Sequence, residues 1–320
     1  MYVAQGNVRT NAEIAEKGHF GTGTSSMSVP GDLHYRNRYW DDRPAREAFQ
    51  RFLIEIHGLD LGKWERRGFW DRENYVPYSL FDGDRVVASL CVYSLDLVID
   101  EAPRRLGQFS GVGTAPGWRR QGLNRWLTER AIEELGPGHD GFFLFSTEEG
   151  VPFYRTCGFV PVMERGRILP TGRVRARQGA RTLDLDSPED LALLHRMVRE
   201  RTPASGVLGS LGTRLTMFHA LYGSPDRILF VPELGVVVFR EVADGRLTLA
   251  DVIGPRMPSF DELHPYLTDQ PHREVRFGFV PDRMEVGGGE VVEVADNLAH
   301  VWPGTPLPAG PFVFPHTSHA

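Results

Sequence analysis

Residues 106–146 place one amphipathic helix between two apolar segments, and this order constrains the fold more than any other part of the chain. The segments 106–114 and 141–146 are typical of buried strands, and residues 123–135 carry apolar side chains along one helical face. A helix that joins two neighbouring strands of one sheet requires them to run parallel, with a right-handed crossover. Because a hairpin signal at residues 82–84 precedes this unit, we predict a mixed α/β sheet.

Composition excludes several classes of protein. The 320 residues suffice for about two domains. Lys and Arg number 36 against 42 Asp and Glu, so the net charge of −6 argues against a nucleic-acid-binding surface. No apolar run approaches the ~18 residues of a membrane span, and Cys91 and Cys157 form no CxxC pair. We therefore expect a soluble cytoplasmic protein with no metal, no membrane and no nucleic-acid partner.

The stretch 112–124 carries the first chemical signal, because a strand ends there, a loop rich in arginine and glycine follows, and a helix begins. Backbone N–H groups at a helix N-terminus bind phosphate readily, and Gly122 allows the backbone to approach an anion closely. Arg119 and Arg120 add positive charge. No Gly-Lys-Ser/Thr sequence follows, so the loop is not a P-loop. The pattern predicts an anion site of another kind.

Two motifs in this region resemble those of the GNAT superfamily of N-acetyltransferases. Arg119-x-x-Gly122-x-Asn124 is similar to the acetyl-CoA signature Q/R-x-x-G-x-G/A, and Phe153-Tyr154-x-x-x-Gly158-Phe159 resembles the late motif of the family. The resemblance covers about residues 33–165 in the element order of the family.

The sequence departs from the family pattern at three positions. Asn124 stands where Gly or Ala is usual, and Thr147 stands where many members have Asn. Gln108 stands where the histone-acetylating branch has a glutamate base. Since glutamine cannot take a proton, the direct-base mechanism of that branch is not expected here.

The resemblance implies a GNAT-like fold, in which a central mixed sheet is splayed between two parallel strands, plus a smaller, partial GNAT-like domain at the C-terminus. It also implies acetyl-CoA as co-substrate, with the pantetheine arm paired to a strand end and the pyrophosphate on loop amides. The residues expected to bind acetyl-CoA are Val112, Gly113, Thr114, Arg119, Arg120, Gln121, Gly122, Leu123 and Asn124.

Attack of an amine on a thioester releases a thiolate, which needs a proton, and a tyrosine is protonated at pH 7. We therefore predict that Tyr154 is the general acid. On the amine side, Glu149 is a candidate to accept a proton directly or through water, and Ser110 is a candidate to orient a water molecule. For Cys157, an acetylated intermediate and a buried structural thiol are alternative interpretations.

The expected domain organisation divides the chain into five parts. Residues 1–30 form a flexible leader, 31–165 the catalytic GNAT domain, and 166–188 its last strand and a linker. Residues 189–285 form the partial GNAT-like domain, and the proline-rich residues 286–320 form an extended surface tail. The second half has no arginine-rich glycine loop between a strand and a helix, so we expect a degenerate copy with no CoA site of its own.

The predicted function is acetyl-CoA-dependent acetylation of a primary amine on a small molecule or peptide by direct attack. A tandem acyltransferase similar to mycothiol synthase and a non-catalytic CoA-binding regulator are the alternatives. The sequence leaves open the identity of the acceptor, the general base, the length of the acyl group, and whether the protein is a monomer or a homodimer.

Overall fold

A computed structural model of the chain describes residues 29, 31–171, 175–211, 214–223, 227–294 and 298–319. The expected leader, residues 1–30, lies outside the described residues except for Val29. The helices are α1 (Arg43–His57), α2 (Gly62–Arg66), α3 (Leu123–Leu135), α4 (Val151–Thr156), α5 (Pro188–Arg199), α6 (Arg214–Tyr222) and α7 (Phe260–Leu263). The strands are β1 (His34–Asn37), β2 (Tyr75–Asp82), β3 (Arg85–Ile99), β4 (Ala102–Thr114), β5 (Gly141–Ser146), β6 (Val160–Pro161), β7 (Arg165–Pro170), β8 (Arg181–Thr182), β9 (Leu208–Ser210), β10 (Ile228–Val231), β11 (Val236–Ala243), β12 (Arg246–Ile253), β13 (Glu274–Phe277), β14 (Glu290–Glu293) and β15 (Leu298–Val301).

Local sequence signals set the ends of the first helix. The Asp42 side chain accepts a hydrogen bond from the Ala45 N–H at 3.0 Å and so caps the start of α1. Gly58 ends the helix in the left-handed conformation, with φ of 66°. Phe49 and Leu53 are fully buried where α1 packs against β3 and β4. Helix α3 packs against β2, β3 and β4 from the other face, so the sheet is covered on both sides.

The first sheet follows the order β1-β2-β3-β4-β5-β15-β6, with β9 paired to β3. Strands β4 and β5 are parallel, with Leu106 opposite Gly141 and Phe109 opposite Leu144. The predicted parallel pair and its crossover helix are confirmed, and the predicted bounds of α3 and β5 agree with the structure. The mixed α/β class is likewise confirmed.

The second sheet has the order β14-β7-β13-β12-β11-β10-β8 and repeats part of the first. Strands β12 and β13 are parallel, and α7 lies between them in the chain, as α3 lies between β4 and β5. The run β12-β13-β7-β14 therefore corresponds to β4-β5-β15-β6. In each run, the strand next to β5 or β13 is supplied by the other half of the chain.

This exchange differs from the expected organisation at two places. Strand β7, expected to close the first sheet, pairs with β13 and β14 of the second sheet. Strand β15, expected in a surface tail, lies between β5 and β6 of the first sheet, and Ala299 and Val301 in it are buried. The apolar pattern of a short strand does not encode which distant strand it pairs with, because packing against neighbours decides that. The boundary positions of the domains themselves stay a prediction.

Within the described ranges, none of the helices combines the length and the apolar character needed to cross a lipid bilayer.

Candidate active site

The site begins where β4 and β5 separate. Their pairing ends at Phe109 and Leu144, although β4 continues to Thr114 and stays paired with β3 over most of that length. Gly111 has φ of 55°, which marks the irregular part of the strand. From residue 110 onward, the edge of β4 that faced β5 has lost its neighbouring strand. Backbone groups that are buried without a partner cost free energy, so this edge favours binding of an extended amide-containing ligand.

The second part of the site is the start of α3. Gly122 precedes the helix with φ of 75° and ψ of 7°, and no side chain among the residues that the structure describes caps the helix N-terminus. The first-turn N–H groups of a helix have no partners within the helix and carry a partial positive charge. Arg119 and Arg120 flank them in the loop, and the Arg119 Nε donates to the Thr114 carbonyl at 3.2 Å. The arrangement fits an anion such as pyrophosphate.

Asn124 has a structural task that explains its departure from the family motif. Its side chain is buried, and its Nδ2 donates to the Gly113 carbonyl and to Thr114 Oγ1, both at 2.7 Å. These bonds tie the first turn of α3 to the end of β4. Asn124 therefore fixes the distance between the open strand edge and the helix N-terminus.

These elements line one cleft of about 550 Å³. The predicted residues that line it are Val112, Gly113, Thr114, Arg119, Arg120, Gly122, Leu123, Asn124 and Tyr154. Gln121, Ser110 and Glu149 are not among the lining residues, so the structure does not bring these three predicted residues to the cleft wall. Gly150 and Phe153 complete the side that carries Tyr154.

Tyr154 lies on α4, with its ring packed against Phe153 and Phe159 at centroid distances of 5.1 and 6.4 Å. Burial raises the pKa of Tyr154 to about 12. The phenol is therefore protonated at neutral pH and can donate a proton or a hydrogen bond into the cleft.

The other predicted reactive groups are less favourably placed. Glu149 is exposed in the turn after β5, and hydrogen bonds from its own backbone N–H and from Thr147 lower the pKa of its carboxyl, which makes it a weaker base. Ser110 lies in β4 immediately after the last residue paired with β5. Cys157 is buried, and burial raises the pKa of its thiol, so the thiol stays protonated. This supports the structural interpretation of Cys157 over a covalent intermediate.

His57 and His300 also lie near the cleft, and Glu164 is a further buried titratable residue. His57, at the end of α1, donates to the Gly111 carbonyl, and burial lowers the pKa of its ring. Glu164 is 3% exposed, its Oε1 accepts from the Phe314 N–H at 2.8 Å, and burial raises its pKa to about 7. His300 of β15 has its ring 6.1 Å from that of Tyr154. Sequence analysis gave His57 no role and did not single out Glu164 or His300, because no local motif marks a residue whose partners are far along the chain.

The C-terminal segment covers part of β5. The ring of Phe314 stacks on Phe143 with centroids 4.4 Å apart, and His319 stacks on Phe145 at 4.0 Å. Phe143 and Phe145 point away from α3, into the cluster that contains α1, whereas Phe142 belongs to the cluster on the α3 side. The segment expected as a surface tail is thus a buried wall beside the separated strands.

A larger cleft of about 860 Å³ lies elsewhere, between the segment around α2 and β2 and the helices α5 and α6. Trp40, Trp70 and charged residues of both signs line it. It contains none of the predicted binding or catalytic residues and does not include the separated strand ends. The predicted binding residues and Tyr154 therefore lie in the smaller cleft and not in the larger one.

Comparison with known proteins agrees with this geometry. Residues 46–162 match the family model described as Acetyltransferase (GNAT) domain. No curated protein matches the chain significantly.

Solved structures show the same fold at low sequence identity. A probable N-acyltransferase from Enterococcus faecalis V583 is 12% identical, with a TM-score of 0.56 over 84% of this chain and 72% of that one. Eis1 from Mycobacterium abscessus is 16% identical, with a TM-score of 0.52 over 85% and 74%. A GCN5-related N-acetyltransferase from Anabaena variabilis ATCC 29413 is 11% identical, with a TM-score of 0.52 over 85% and 73%.

The family model spans the open end of β4, the start of α3, and Tyr154. The family match and the shared fold confirm the resemblance drawn from the two sequence motifs. Residues 46–162 of the chain form a GNAT acetyltransferase domain.

Proposed function

We propose that this protein transfers an acetyl group from acetyl-CoA to a primary amine by direct attack of the amine on the thioester, with Tyr154 as the general acid. One observation carries the proposal: the open edge of β4, the uncapped start of α3 and Tyr154 all line the same cleft. The edge of β4 corresponds to the pantetheine arm, the start of α3 to the pyrophosphate, and Tyr154 to the thioester.

The residues present fit acetyl-CoA. The amides of the pantetheine arm match the edge of β4 at residues 112–114, where β5 no longer pairs with it. The pyrophosphate matches the free N–H groups before and within the first turn of α3, with Arg119 and Arg120 nearby. Left-handed Gly122 leaves its side of the loop open, since nothing lies within 4 Å of the position a Cβ would take.

The reaction then needs one proton at a defined place. The amine nitrogen bonds to the thioester carbon, and the carbonyl oxygen becomes an oxyanion that N–H groups near Val112 are placed to stabilise. When the tetrahedral intermediate collapses, the oxyanion re-forms the C=O bond and the C–S bond breaks with its electron pair going to sulfur. The Tyr154 O–H gives its proton to the thiolate, and the nitrogen of the new amide loses its extra proton to water. The O–H electron pair stays on the phenolate oxygen, which regains a proton from solvent. Burial keeps Tyr154 protonated before this step but also makes it a weaker acid.

On the amine side, the nitrogen must lose a proton as the amide forms. Ser110 and Glu149 stay predictions, as a residue orienting water and as a proton acceptor reached through water. The acceptor class follows from the chemistry alone: it is a primary amine on a small molecule or a peptide.

The second half supports one acetyl-CoA site per chain rather than a tandem enzyme. At the start of α7, the counterpart of α3, the Ser259 Oγ accepts from the Glu262 N–H, and the Glu262 carboxylate accepts from the Ser259 N–H. This capping box places the protein's own carboxylate where α3 has free N–H groups. A phosphate would meet a negative charge there instead of open donors.

The substitution Tyr154→Phe tests the proposed function and distinguishes an enzyme from a non-catalytic CoA-binding regulator. It removes only the hydroxyl, for which the structure shows no hydrogen-bond partner among the described residues. Stability and acetyl-CoA affinity are expected to stay nearly unchanged, whereas the chemical step slows by about 10²–10⁴. The measurement is release of free CoA thiol with a panel of primary amines, beside calorimetric titration of acetyl-CoA.

Tyr78→Phe is the matched control. Tyr78 is fully buried in the same apolar cluster, its hydroxyl also has no described partner, and it does not line the cleft. Its loss should leave turnover unchanged. Wild-type protein that binds acetyl-CoA but acetylates no amine would favour the regulator. A Tyr154→Phe variant that keeps more than about half of the wild-type rate, with chemistry limiting, would refute the acid role.

A further inference from the structure

The strand that the C-terminal half inserts into the first sheet brings a histidine to the reaction centre. His300 lies on β15, opposite Leu144 of β5 and Pro161 of β6. It is fully buried, and its ring centroid is 6.1 Å from that of Tyr154, with 44° between the ring planes. The two rings are therefore neighbours, although the residues are 146 positions apart in the sequence.

The hydrogen bonds of His300 define its tautomer. Its Nδ1 is 2.9 Å from the Leu298 carbonyl oxygen, and a carbonyl only accepts, so Nδ1 carries the hydrogen. Burial, with Arg155 nearby, lowers the pKa of the ring, so the imidazole is neutral at pH 7. Its Nε2 is therefore a bare acceptor, and among the described residues it has no hydrogen-bond partner.

A second buried polar atom beside Tyr154 also lacks a hydrogen-bond partner among the described residues. The Ser146 Oγ is buried and has no partner within the described part of the chain. Ser146 pairs with Leu298, so it lies next to His300 across the β5–β15 ladder. A Cβ added at Gly150 would lie 3.2 Å from Tyr154 Cε2 and 3.4 Å from Ser146 Cβ, so these two side chains meet at that glycine.

A buried acceptor and a buried hydroxyl without partners are costly, and native proteins commonly pair such groups through an ordered water. One water between them would satisfy His300 Nε2 and the Ser146 hydroxyl and would also reach the Tyr154 oxygen. It accepts from the Ser146 hydroxyl, donates one hydrogen to His300 Nε2, and donates the other to the Tyr154 oxygen. The Tyr154 hydrogen is then directed elsewhere, toward the cleft.

We propose that His300 is a positioning residue, which with Ser146 holds a water molecule that donates to the Tyr154 oxygen and stabilises the phenolate as its proton moves to the thiolate. No new covalent step is involved: the O–H bond of Tyr154 breaks, the S–H bond forms, and the electron pair left on oxygen accepts the hydrogen bond of the water. The inference rests on the proposed role of Tyr154 as the acid.

The test compares two replacements of His300. One preserves the packing of the ring but not the hydrogen-bond acceptor, and the other preserves the acceptor but not the ring. His300→Phe keeps an aromatic ring and removes the acceptor, whereas His300→Gln loses the ring and places an amide oxygen near Nε2. A positioning role predicts that kcat falls about tenfold or more in the Phe variant and is largely retained in the Gln variant, with the KM for acetyl-CoA unchanged in both. A space-filling role predicts the reverse order. Ser146→Ala removes the hydroxyl that donates to the water, so it should lower kcat as His300→Phe does.

Hydroxylamine serves as the probe, because it is small and uncharged at neutral pH and so requires neither an acceptor pocket nor a general base. Single-turnover formation of the hydroxamate from acetyl-CoA isolates the chemical step, after subtraction of the rate without enzyme. His264→Phe is the matched control, since His264 is buried in the second half and stacks on Phe260, with His272 as its hydrogen-bond partner. Thermal unfolding verifies that each variant is folded.

The double variant Tyr154→Phe/His300→Phe separates this inference from the proposed function. If His300 acts through Tyr154, the double variant is no slower than Tyr154→Phe alone. Additive losses, or full activity in His300→Phe, overturn the inference and leave Tyr154 as the acid. Full activity in Tyr154→Phe overturns the acid role, and the positioning role with it.

Discussion

Replacing Gly122 with aspartate tests the phosphate site most directly. Nothing lies within 4 Å of the position a Cβ would take at Gly122, so the only structural cost is the left-handed conformation, with φ of 75°. That cost is about 1 kcal/mol. The new carboxylate at the start of α3 lies where the pyrophosphate is proposed to bind. Two negative charges about 6 Å away, at a dielectric constant near that of water, repel it by roughly 1–2 kcal/mol.

The expected result is an increase in the Kd of acetyl-CoA by at least about tenfold, which is ~1.4 kcal/mol. Calorimetric titration measures it, and the loss should shrink at high salt because exposed charges are screened. Gly235→Asp is the matched control: Gly235 has φ of 64°, nothing lies within 4 Å of its Cβ position, and it belongs to the second half. Both variants should lose similar stability. Unchanged affinity in a folded Gly122→Asp protein would remove this loop from the site.

Three further outcomes follow from the structure. Titration should give one acetyl-CoA per chain, because the Ser259–Glu262 capping box occupies the start of α7; two equivalent sites would revive the tandem alternative. A chain that ends at residue 285 loses β15, which is the shared neighbour of β5 and β6. We expect circular dichroism to show no native fold and titration to show no binding of acetyl-CoA. Glu164→Gln should raise the free energy of unfolding at pH 8 by about 2–3 kcal/mol. The pKa of Glu164 in the folded protein is about 7, above the ordinary 4.5, so wild-type stability falls as the pH rises from 4.5 to 7. Urea unfolding at pH 5 and pH 8 checks this, and an equal effect at both pH values would contradict it.

The fold of residues 102–146 was predictable because every signal in it is local. A strand, a loop and a helix of ordinary length follow one another, and the apolar period changes from two to 3.6 where the helix begins. Gly122 and Asn124 also lie within this segment, so the position of the loop before α3 could be predicted from sequence alone. Sequence analysis still missed what Asn124 does, since its bonds to Gly113 and Thr114 depend on how the strand end approaches the helix.

The rest of the centre depends on contacts that no local pattern contains. Strand β15 is short and follows a stretch rich in glycine, so it has the appearance of a loop in sequence. Only the β5–β15–β6 ladder makes it a central strand and brings His300 to Tyr154. Likewise, Glu164 is an ordinary exposed-looking acid in the sequence, and its burial is caused by the C-terminal segment that supplies the Phe314 N–H.

The reciprocal exchange of strands ties the second half to the chemistry of the first. Helix α4, which carries Tyr154, runs into β6, and β6 reaches the rest of its sheet through β15. In return, β7 leaves the first half to lie between β13 and β14. Tyr154 therefore lies on a helix held between β5, which precedes it in the chain, and β6, which is joined to its sheet by a strand of the C-terminal half. The Ser259–Glu262 capping box occupies the start of α7, so we infer that the second half contributes to the candidate site through β15 rather than through a phosphate site at α7.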